Sequence, residues 1–162
     1  MQNLKKVVLA LGSNMGEPIE NLRSAVSEIS KFATVLMRSQ IYKTDPVGYL
    51  DQDDFFNATI LCETHLEPLE LLKKCKEIES QMGRVKSFRN APRPIDIDII
   101  FYEGESINTD VLQIPHPRWS ERDFVLSPLS DIINATPQMP DFRCDLKIIS
   151  TYQKKYNPIS NL

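Results

Sequence analysis

The sequence lacks several features that mark specialised classes of protein. It has only three cysteines, Cys62, Cys75 and Cys144, without CxxC spacing, so neither a disulfide framework nor a zinc site is indicated. No apolar run reaches the length of a membrane span or of the hydrophobic region of a signal peptide. We therefore expect a protein of a reducing compartment, located in the cytoplasm and without a membrane partner.

The chain also lacks an excess of positive charge. Its 19 Lys and Arg residues stand against 22 Asp and Glu, which gives a formal net charge of −3. Non-specific binding of nucleic acid depends on a basic face, so no nucleic-acid partner is expected. The 162 residues, 41% hydrophobic and 25% charged, predict a single globular domain over residues 1–162. We expect a monomer, with a dimer as the alternative.

The apolar residues of the first half predict strands that alternate with helices. Residues 7–11 are continuously apolar and predict a buried strand, and an amphipathic helix begins at Pro18. Residues 34–42 alternate loosely, and residues 55–63 predict a further strand. A second amphipathic helix begins at Pro68 and is predicted to end at Gly83.

The second half is predicted to contain one well-defined strand, over residues 94–102. A hairpin-like connection around residues 103–105 follows it, and the part beyond Leu126, which has four prolines, is interpreted as short helical pieces and coil. The order of elements predicts an α+β fold, a ferredoxin-like sandwich in which an antiparallel sheet has both helices packed on one face.

Two acids in the strand over residues 94–102 form the most specific single feature. Strict alternation places three isoleucines on one face of the strand and Asp96 and Asp98 on the other. Aspartate is a poor strand former, and like charges on one face repel, so a compensating cation is expected. Two carboxylates with water as the remaining ligands suit Mg²⁺ bound to substrate phosphates. The alternative is a solvated strand face that binds nothing.

A basic loop precedes these acids. Cationic side chains beside a magnesium site supply the charge that phosphoryl transfer requires. No GxxxxGK[ST] or GxGxxG sequence is present, so the phosphates would be held by side chains rather than by a glycine-rich loop. A solvated cationic loop is the alternative. The four cations of the loop are Arg84, Lys86, Arg89 and Arg93.

The same residues are compatible with two other function classes. A metal-dependent nucleotidyltransferase also combines a Gly-Ser motif with DxD, but there the acids follow closely, whereas here a long stretch of chain separates Ser13 from Asp96. An RNA-binding module of ferredoxin-like fold would need a basic, aromatic sheet face, whereas this strand face has two aspartates.

Several ordered motifs resemble those of one family. The run from Arg89 to Ile100, RNAPRPIDIDII, is similar to the signature of the 6-hydroxymethyl-7,8-dihydropterin pyrophosphokinases of folate biosynthesis. The resemblance implies a ferredoxin-like fold and transfer of pyrophosphate from ATP to the pterin hydroxymethyl group, with release of AMP. The sequence departs from the pattern at Asn90, where some members have tryptophan, and at Phe55, where others have tyrosine. The other matching segments are residues 11–14, 42–46, 55–57, 83–85 and 115–126.

The resemblance also implies roles for individual residues. Asp96 and Asp98 match the acids that hold two Mg²⁺ ions, and Arg84 and Arg93 match loop arginines that contact ATP and assist the transfer, which makes these four the expected catalytic residues. The remaining expected ATP contacts are Glu79, Lys86, Ile99, Gln113, His116 and Arg122. The expected pterin contacts are Thr44, Asp45, Pro46, Val47, Phe55, Asn57 and Phe124, with the two phenylalanine rings enclosing the heterocycle.

Overall fold

An antiparallel sheet of six strands forms the centre of the computed structural model, which describes residues 3–85 and 87–162. The order of strands is β5-β1-β4-β3-β8, and β2 also pairs with β4; β6 and β7 form a separate two-stranded ladder. The strands are β1 Lys5–Ser13, β2 Thr34–Arg38, β3 Gln40–Thr44, β4 Phe55–Thr64, β5 Asp96–Tyr102, β6 Ile107–Asn108, β7 Gln113–Ile114 and β8 Pro158–Asn161. The helices are α1 Pro18–Ile29, α2 Pro68–Gln81, α3 Asp123–Ala135 and α4 Lys147–Ser150.

The first helical layer, α1 and α2, packs on one face of the sheet. Both helices begin with proline in the first turn, and α2 has a capping box between Glu67 and Glu70. Gly83, with φ of +95°, follows the end of α2 in the left-handed conformation that favours glycine. The predicted α+β fold, with these two helices on one face, is confirmed. The core of this layer includes Leu22, Val26, Ile29, Leu71 and Ile78 against Val7, Leu9 and Ile60.

The opposite face of the sheet is covered by α3, which the sequence analysis did not predict. The interpretation of the part beyond Leu126 as short helical pieces and coil was wrong for α3, which has 13 residues and continues through Pro128, and for β8. It was right for α4, which has four residues. Proline removes one backbone hydrogen bond from a helix. Burial of Val125, Leu129 and Ile132 against the sheet outweighs that loss.

Two smaller predictions also differ from the structure. The stretch 34–42 is divided into β2 and β3 at Ser39, whose Oγ accepts a hydrogen bond from the backbone N–H of Thr59 at 2.8 Å. Residues 103–104 do form a turn, in which Glu105 N–H donates to the Tyr102 carbonyl at 3.1 Å, but the hairpin pairing is between β6 and β7, where Thr109 N–H donates to the Leu112 carbonyl. Within residues 3–85 and 87–162, no helix is both long and apolar enough to cross a membrane.

Candidate active site

The two aspartates of β5 lie on the sheet face that α3 covers, close to the first residues of the strand. The alternating isoleucines, Ile95, Ile97 and Ile99, are buried in the core beneath α1 and α2, as the alternation predicted. Asp96 and Asp98 are partly exposed on the other face. The two carboxylates therefore share one surface beside the basic loop.

Asp96 is held by two arginines of that loop. Arg84 Nη1 donates to Asp96 Oδ1 at 2.6 Å, and Arg93 Nε lies 3.6 Å from Asp96 Oδ2. The second contact is too long for a hydrogen bond, and Arg93 Nε is buried without an acceptor among the described residues. A buried donor without a partner is costly, so Arg93 is ready to bind an anionic ligand.

Glu79 links α2 to both β5 and the loop. Its Oε2 accepts the backbone N–H of Ile97 at 2.8 Å, while Oε1 lies 3.0 Å from Arg84 Nη1 and 3.3 Å from Lys76 Nζ. Only 4% of Glu79 is exposed. A buried carboxylate with several partners fixes their positions, so Glu79 orients Arg84 and the residue between the two aspartates.

Asp98 has a different environment from Asp96. Burial, together with repulsion from the Asp96 carboxylate, raises the pKa of Asp98 to about 7. Its side chain accepts no hydrogen bond from any residue that the structure describes. The charge of Asp96 is therefore balanced by Arg84 and Arg93, whereas Asp98 forms no ion pair with any residue that the structure describes.

The donor set at this point fits a divalent cation bound mainly by substrate and water. Within the described ranges 3–85 and 87–162, no group of three or more His, Cys, Asp or Glu side chains is arranged to hold a metal. Two carboxylates on one strand face match the small number of protein ligands that Mg²⁺ uses when phosphates complete its shell. The raised pKa of Asp98 is the effect expected where such a cation belongs.

Two cavities meet at Arg93. The first, the cationic cavity, has a volume of about 520 Å³ and is lined by Lys76, Arg84, Phe88 and Arg93 among others. The second, the aromatic cavity, has a volume of about 220 Å³ and includes Arg93 and Asp96 in its lining. A ligand that occupies both cavities would therefore pass the Arg93–Asp96 pair.

The aromatic cavity brings together six of the seven residues predicted to contact the pterin. The side-chain amide of Asn57 donates to Thr44 Oγ1 at 2.6 Å, and this hydrogen bond holds the amide at the rim of the cavity. A Cβ added at Gly12 would lie 2.9 Å from Asn57 Oδ1, so only glycine leaves room for this side chain. Pro46 is not part of the lining. The six that line the cavity are Thr44, Asp45, Val47, Phe55, Asn57 and Phe124.

An arginine lies over each of the two predicted ring contacts. Arg93 stacks on Phe55 with 5.0 Å from guanidinium carbon to ring centroid, and Arg122 stacks on Phe124 at 5.3 Å. Cation–π contacts of this kind are modest in free energy. A flat heterocycle can therefore replace the guanidinium groups on the ring faces.

His116 lies close to the same cluster and is neutral at physiological pH. Burial lowers the pKa of His116 to about 4, with a further contribution from the positive charge of Arg122. Its Nδ1 accepts the backbone N–H of Arg118 at 3.1 Å. The ring proton is therefore on Nε2, which leaves Nε2–H as a donor for an anion.

Three of the predicted ATP contacts lie elsewhere or cannot be placed. Ile99 is buried in the core, and Gln113 is exposed on β7; neither lines a cavity described above. Lys86 lies outside the described residues. The expected ATP contacts thus include a group around Arg84 and two residues, Ile99 and Gln113, that line neither cavity.

The sequence analysis did not assign a role to Asn14 or Gln52, which join the loops around the site. Asn14 Oδ1 accepts the backbone N–H of Arg93 at 2.9 Å, and its Nδ2 donates to Gln52 Oε1 at 2.8 Å. Gln52 in turn donates to the carbonyl of Asn90 at 2.8 Å. The Gly-Ser-Asn motif after β1 was the available signal, but its partners are distant in sequence.

Comparison with known structures supports this fold. The chain aligns over 80% of its length with 40% of a Plasmodium falciparum HPPK-DHPS chain solved with pterin and p-hydroxybenzoate, with a TM-score of 0.62 and 17% sequence identity. At that identity the likeness concerns the fold. An α+β sheet of this type with clustered arginines beside a carboxylate pair is typical, as a class, of proteins that bind phosphate groups.

Comparison of sequences gives the family. The profile described as 7,8-dihydro-6-hydroxymethylpterin-pyrophosphokinase (HPPK) matches residues 8–134. A Bacillus subtilis 2-amino-4-hydroxy-6-hydroxymethyldihydropteridine pyrophosphokinase is 46% identical over 126 residues, which are 76% of this chain and 75% of the relative. The chain therefore belongs to the HPPK family, and the resemblance described above is confirmed.

Other relatives are longer proteins. The Folic acid synthesis protein FOL1 of Dictyostelium discoideum is 45% identical over 151 residues, which are 93% of this chain but only 22% of that protein. An Aquifex aeolicus pyrophosphokinase of the same name as the Bacillus enzyme is 39% identical, and the match covers 79% of its length. The chain thus spans about a fifth of the Dictyostelium protein and most of each bacterial relative.

Proposed function

We propose that this chain transfers pyrophosphate from ATP to the hydroxymethyl group of 6-hydroxymethyl-7,8-dihydropterin, with release of AMP, as a step of folate synthesis. Membership of the HPPK family supports the reaction. The observation that carries the assignment of residues is that the cationic and aromatic cavities both include Arg93 in their lining. The triphosphate would extend from the cationic cavity to the pterin in the aromatic cavity.

The reaction requires little covalent help from the protein. The hydroxymethyl oxygen forms a bond to the β-phosphorus of ATP, the bond from that phosphorus to the oxygen bridging to the α-phosphate breaks, and AMP leaves. The hydroxyl proton is lost to solvent. Positioning and neutralisation of charge supply the rate enhancement.

The phosphate groups would be bound by arginines that are now paired with other groups. Arg93 has a buried Nε–H without an acceptor among the described residues, and a phosphate oxygen would satisfy it. Arg84 would exchange its contact with Asp96 for the phosphates. His116 would donate from Nε2, and Arg122 would leave the ring of Phe124. Guanidinium groups bind phosphate through paired, charged hydrogen bonds.

Asp96 and Asp98 would hold two Mg²⁺ ions, as the resemblance implies. When bound, the ions neutralise the triphosphate and polarise its oxygens. When Arg84 moves to the phosphates, Asp96 would become available to the metal, and the cations would balance the negative charge of Asp98. The pterin would lie between Phe55 and Phe124, with Thr44 and Asn57 bonding to its polar edge.

Product analysis tests the proposed reaction. The protein is incubated with ATP, Mg²⁺ and 6-hydroxymethyl-7,8-dihydropterin, and the nucleotide products are separated. We expect one AMP for each pterin consumed; ADP would refute pyrophosphoryl transfer, and no turnover would leave a binding module instead of an enzyme. Asp96→Asn and Asp98→Asn should each nearly abolish turnover, whereas Asp110→Asn, an exposed acid near β7, should not.

The working unit is proposed to be a monomer, with a dimer as the alternative. Light scattering after gel filtration measures the mass directly.

The three free thiols agree with the predicted cytoplasmic location.

A further inference from the structure

A segment beyond the family-matched region contributes to the aromatic cavity. The family profile ends at residue 134, yet Lys155 and Tyr156 are among the residues that line this cavity. Both belong to residues 152–161, called here the β8 segment because it ends in that strand. The sequence motifs gave no role to this part of the chain.

Contacts with the family-matched region hold the β8 segment in place. Lys154 pairs with Asp131 of α3 at 2.5 Å and donates to the hydroxyl of Tyr42 at 2.7 Å. The hydroxyl of Tyr42 donates in turn to Asp131. Tyr42 is fully buried in β3, so the sheet fixes the position of this three-residue network.

A second set of contacts fixes the two ends of the β8 segment. The hydroxyl of Tyr152 donates to Asp123 Oδ1 at 3.1 Å, and it lies 2.9 Å from Ser127 Oγ. At the other end, Arg23 donates to the carbonyl of Asn161 at 2.9 Å. The segment is therefore attached to α3, β3 and α1.

The pairing of β3 with β8 brings the residues that precede β8 close to the end of β3. The two strands are antiparallel, with Tyr42 opposite Pro158. The ladder ends at this pair, and Tyr156 precedes β8 by two residues. Thr44, which bonds to Asn57, and Tyr156 both line the aromatic cavity, so the end of β3 and the residues before β8 meet at its rim.

The hydroxyl of Tyr156 also contacts the loop that follows β3. It lies 3.4 Å from the backbone N–H of Asp45, for which it is the acceptor. Asp45 and Val47 belong to the same loop and line the cavity. Lys155 lies over the ring of Tyr156, with 5.4 Å from Nζ to the centroid, and restricts the ring from the solvent side.

We propose that Tyr156 is a positioning residue for the pterin: its ring forms one wall of the aromatic cavity, and its hydroxyl holds the loop at Asp45. The inference rests on the proposed function, since it requires that the pterin occupies this cavity. A β8 segment that only completed the edge of the sheet would not need an aromatic side chain directed into the cavity.

The test is a comparison of Michaelis constants for the two substrates. Tyr156→Ala removes the wall, Tyr156→Phe keeps the ring and removes the hydroxyl, and Ile159→Ala is the matched control, because Ile159 is half exposed on β8 and lines neither cavity. For each variant, KM for the pterin, KM for ATP, kcat and the melting temperature are measured. A structural role alone would change the melting temperature and both KM values together.

We expect Tyr156→Ala to raise KM for the pterin about five- to tenfold, the usual size of an aromatic contact, while KM for ATP changes by less than about twofold. Tyr156→Phe should restore most of the affinity, with a rise below about threefold, because the hydroxyl contact is long. Ile159→Ala should behave as the unmodified protein. An unchanged KM for the pterin in Tyr156→Ala, or an equal rise in both KM values, would overturn the proposal.

Failure of the proposed function gives a different result. If the unmodified protein does not convert ATP to AMP, the reaction is wrong, and calorimetric titration of 6-hydroxymethyl-7,8-dihydropterin still compares the unmodified protein with Tyr156→Ala. Weaker pterin binding in the variant would support the role of Tyr156. Equal binding in the two proteins would contradict it.

Discussion

Replacement of Asp98 by asparagine should make the metal-free protein more stable while it abolishes turnover. The substitution keeps the size of the side chain and removes one of two neighbouring negative charges on β5. Burial and the charge of Asp96 raise the pKa of Asp98 to about 7, so the ionised form of Asp98 is unfavourable in the folded protein. In its place the amide can donate a hydrogen bond to the Asp96 carboxylate.

The size and pH dependence of the effect follow from the same pKa. Because the pKa of Asp98 rises from 3.8 in the unfolded chain to about 7 in the folded one, the folded protein binds the proton more tightly. The contribution of Asp98 to stability is present below pH 4 and is lost as the pH rises through about 7. At about 1.4 kcal/mol for each pKa unit, ionised Asp98 costs at most about 4 kcal/mol above neutral pH.

Urea unfolding of the unmodified protein and of Asp98→Asn, in the presence of a chelator at pH 5 and pH 8.5, measures this cost. We expect the variant to be the more stable protein at pH 8.5 by an amount of the order of 1–4 kcal/mol, with less than half of that difference at pH 5, where part of the cost is already present because the unfolded pKa is 3.8. Asp110→Asn serves as the control at both pH values. A variant that is no more stable at pH 8.5, or that differs equally at both pH values, would refute the reasoning.

Three further predictions concern other parts of the molecule. The ring of His116 should not titrate between pH 5.5 and 8 by NMR because its pKa is lowered to about 4, and a midpoint near 6.5 would contradict this. Gly12→Ala should lower kcat/KM for the pterin at least about tenfold, because the added Cβ displaces Asn57; full activity would show that Asn57 is not needed in its present position. Leu129→Ala should lower the free energy of unfolding by about 2–5 kcal/mol in urea, since Leu129 is fully buried between α3 and the sheet, and a loss below about 1 kcal/mol would contradict that packing.

Local patterns were sufficient to predict the first face of the fold. The spacing of apolar residues after Pro18 and Pro68 identified α1 and α2, and alternation in β5 placed both aspartates on one face. Each of these signals is complete within one element, because the period of a helix or strand is visible in its own residues.

The second face of the fold depends on contacts between distant residues. Pro128 made α3 hard to recognise, and only the buried surface provided by the sheet explains why the helix continues. β8 has only four residues, which show no clear alternation of apolar and polar side chains. Its position is set by pairing with β3. For the same reason no local signal indicated that Tyr156 would reach the aromatic cavity.

The site was predictable to a similar extent. The basic loop and the acid pair were evident from the order of residues in the sequence, because opposite charges are concentrated in one stretch. The buried link from Glu79 to Ile97 joins α2 to β5, and the link from Asn14 to Arg93 joins β1 to the loop. Such hydrogen bonds are determined by the tertiary structure, and they decide which charges remain available to a ligand.

The central claim is that the acid pair on β5 is the metal site at which the triphosphate is bound. Titration of Mn²⁺, observed by electron paramagnetic resonance in the presence of a non-hydrolysable ATP analogue, tests it most directly. The proposed site predicts two Mn²⁺ bound for each chain, and loss of binding in both Asp96→Asn and Asp98→Asn. Undiminished binding of Mn²⁺ by either variant would contradict the claim.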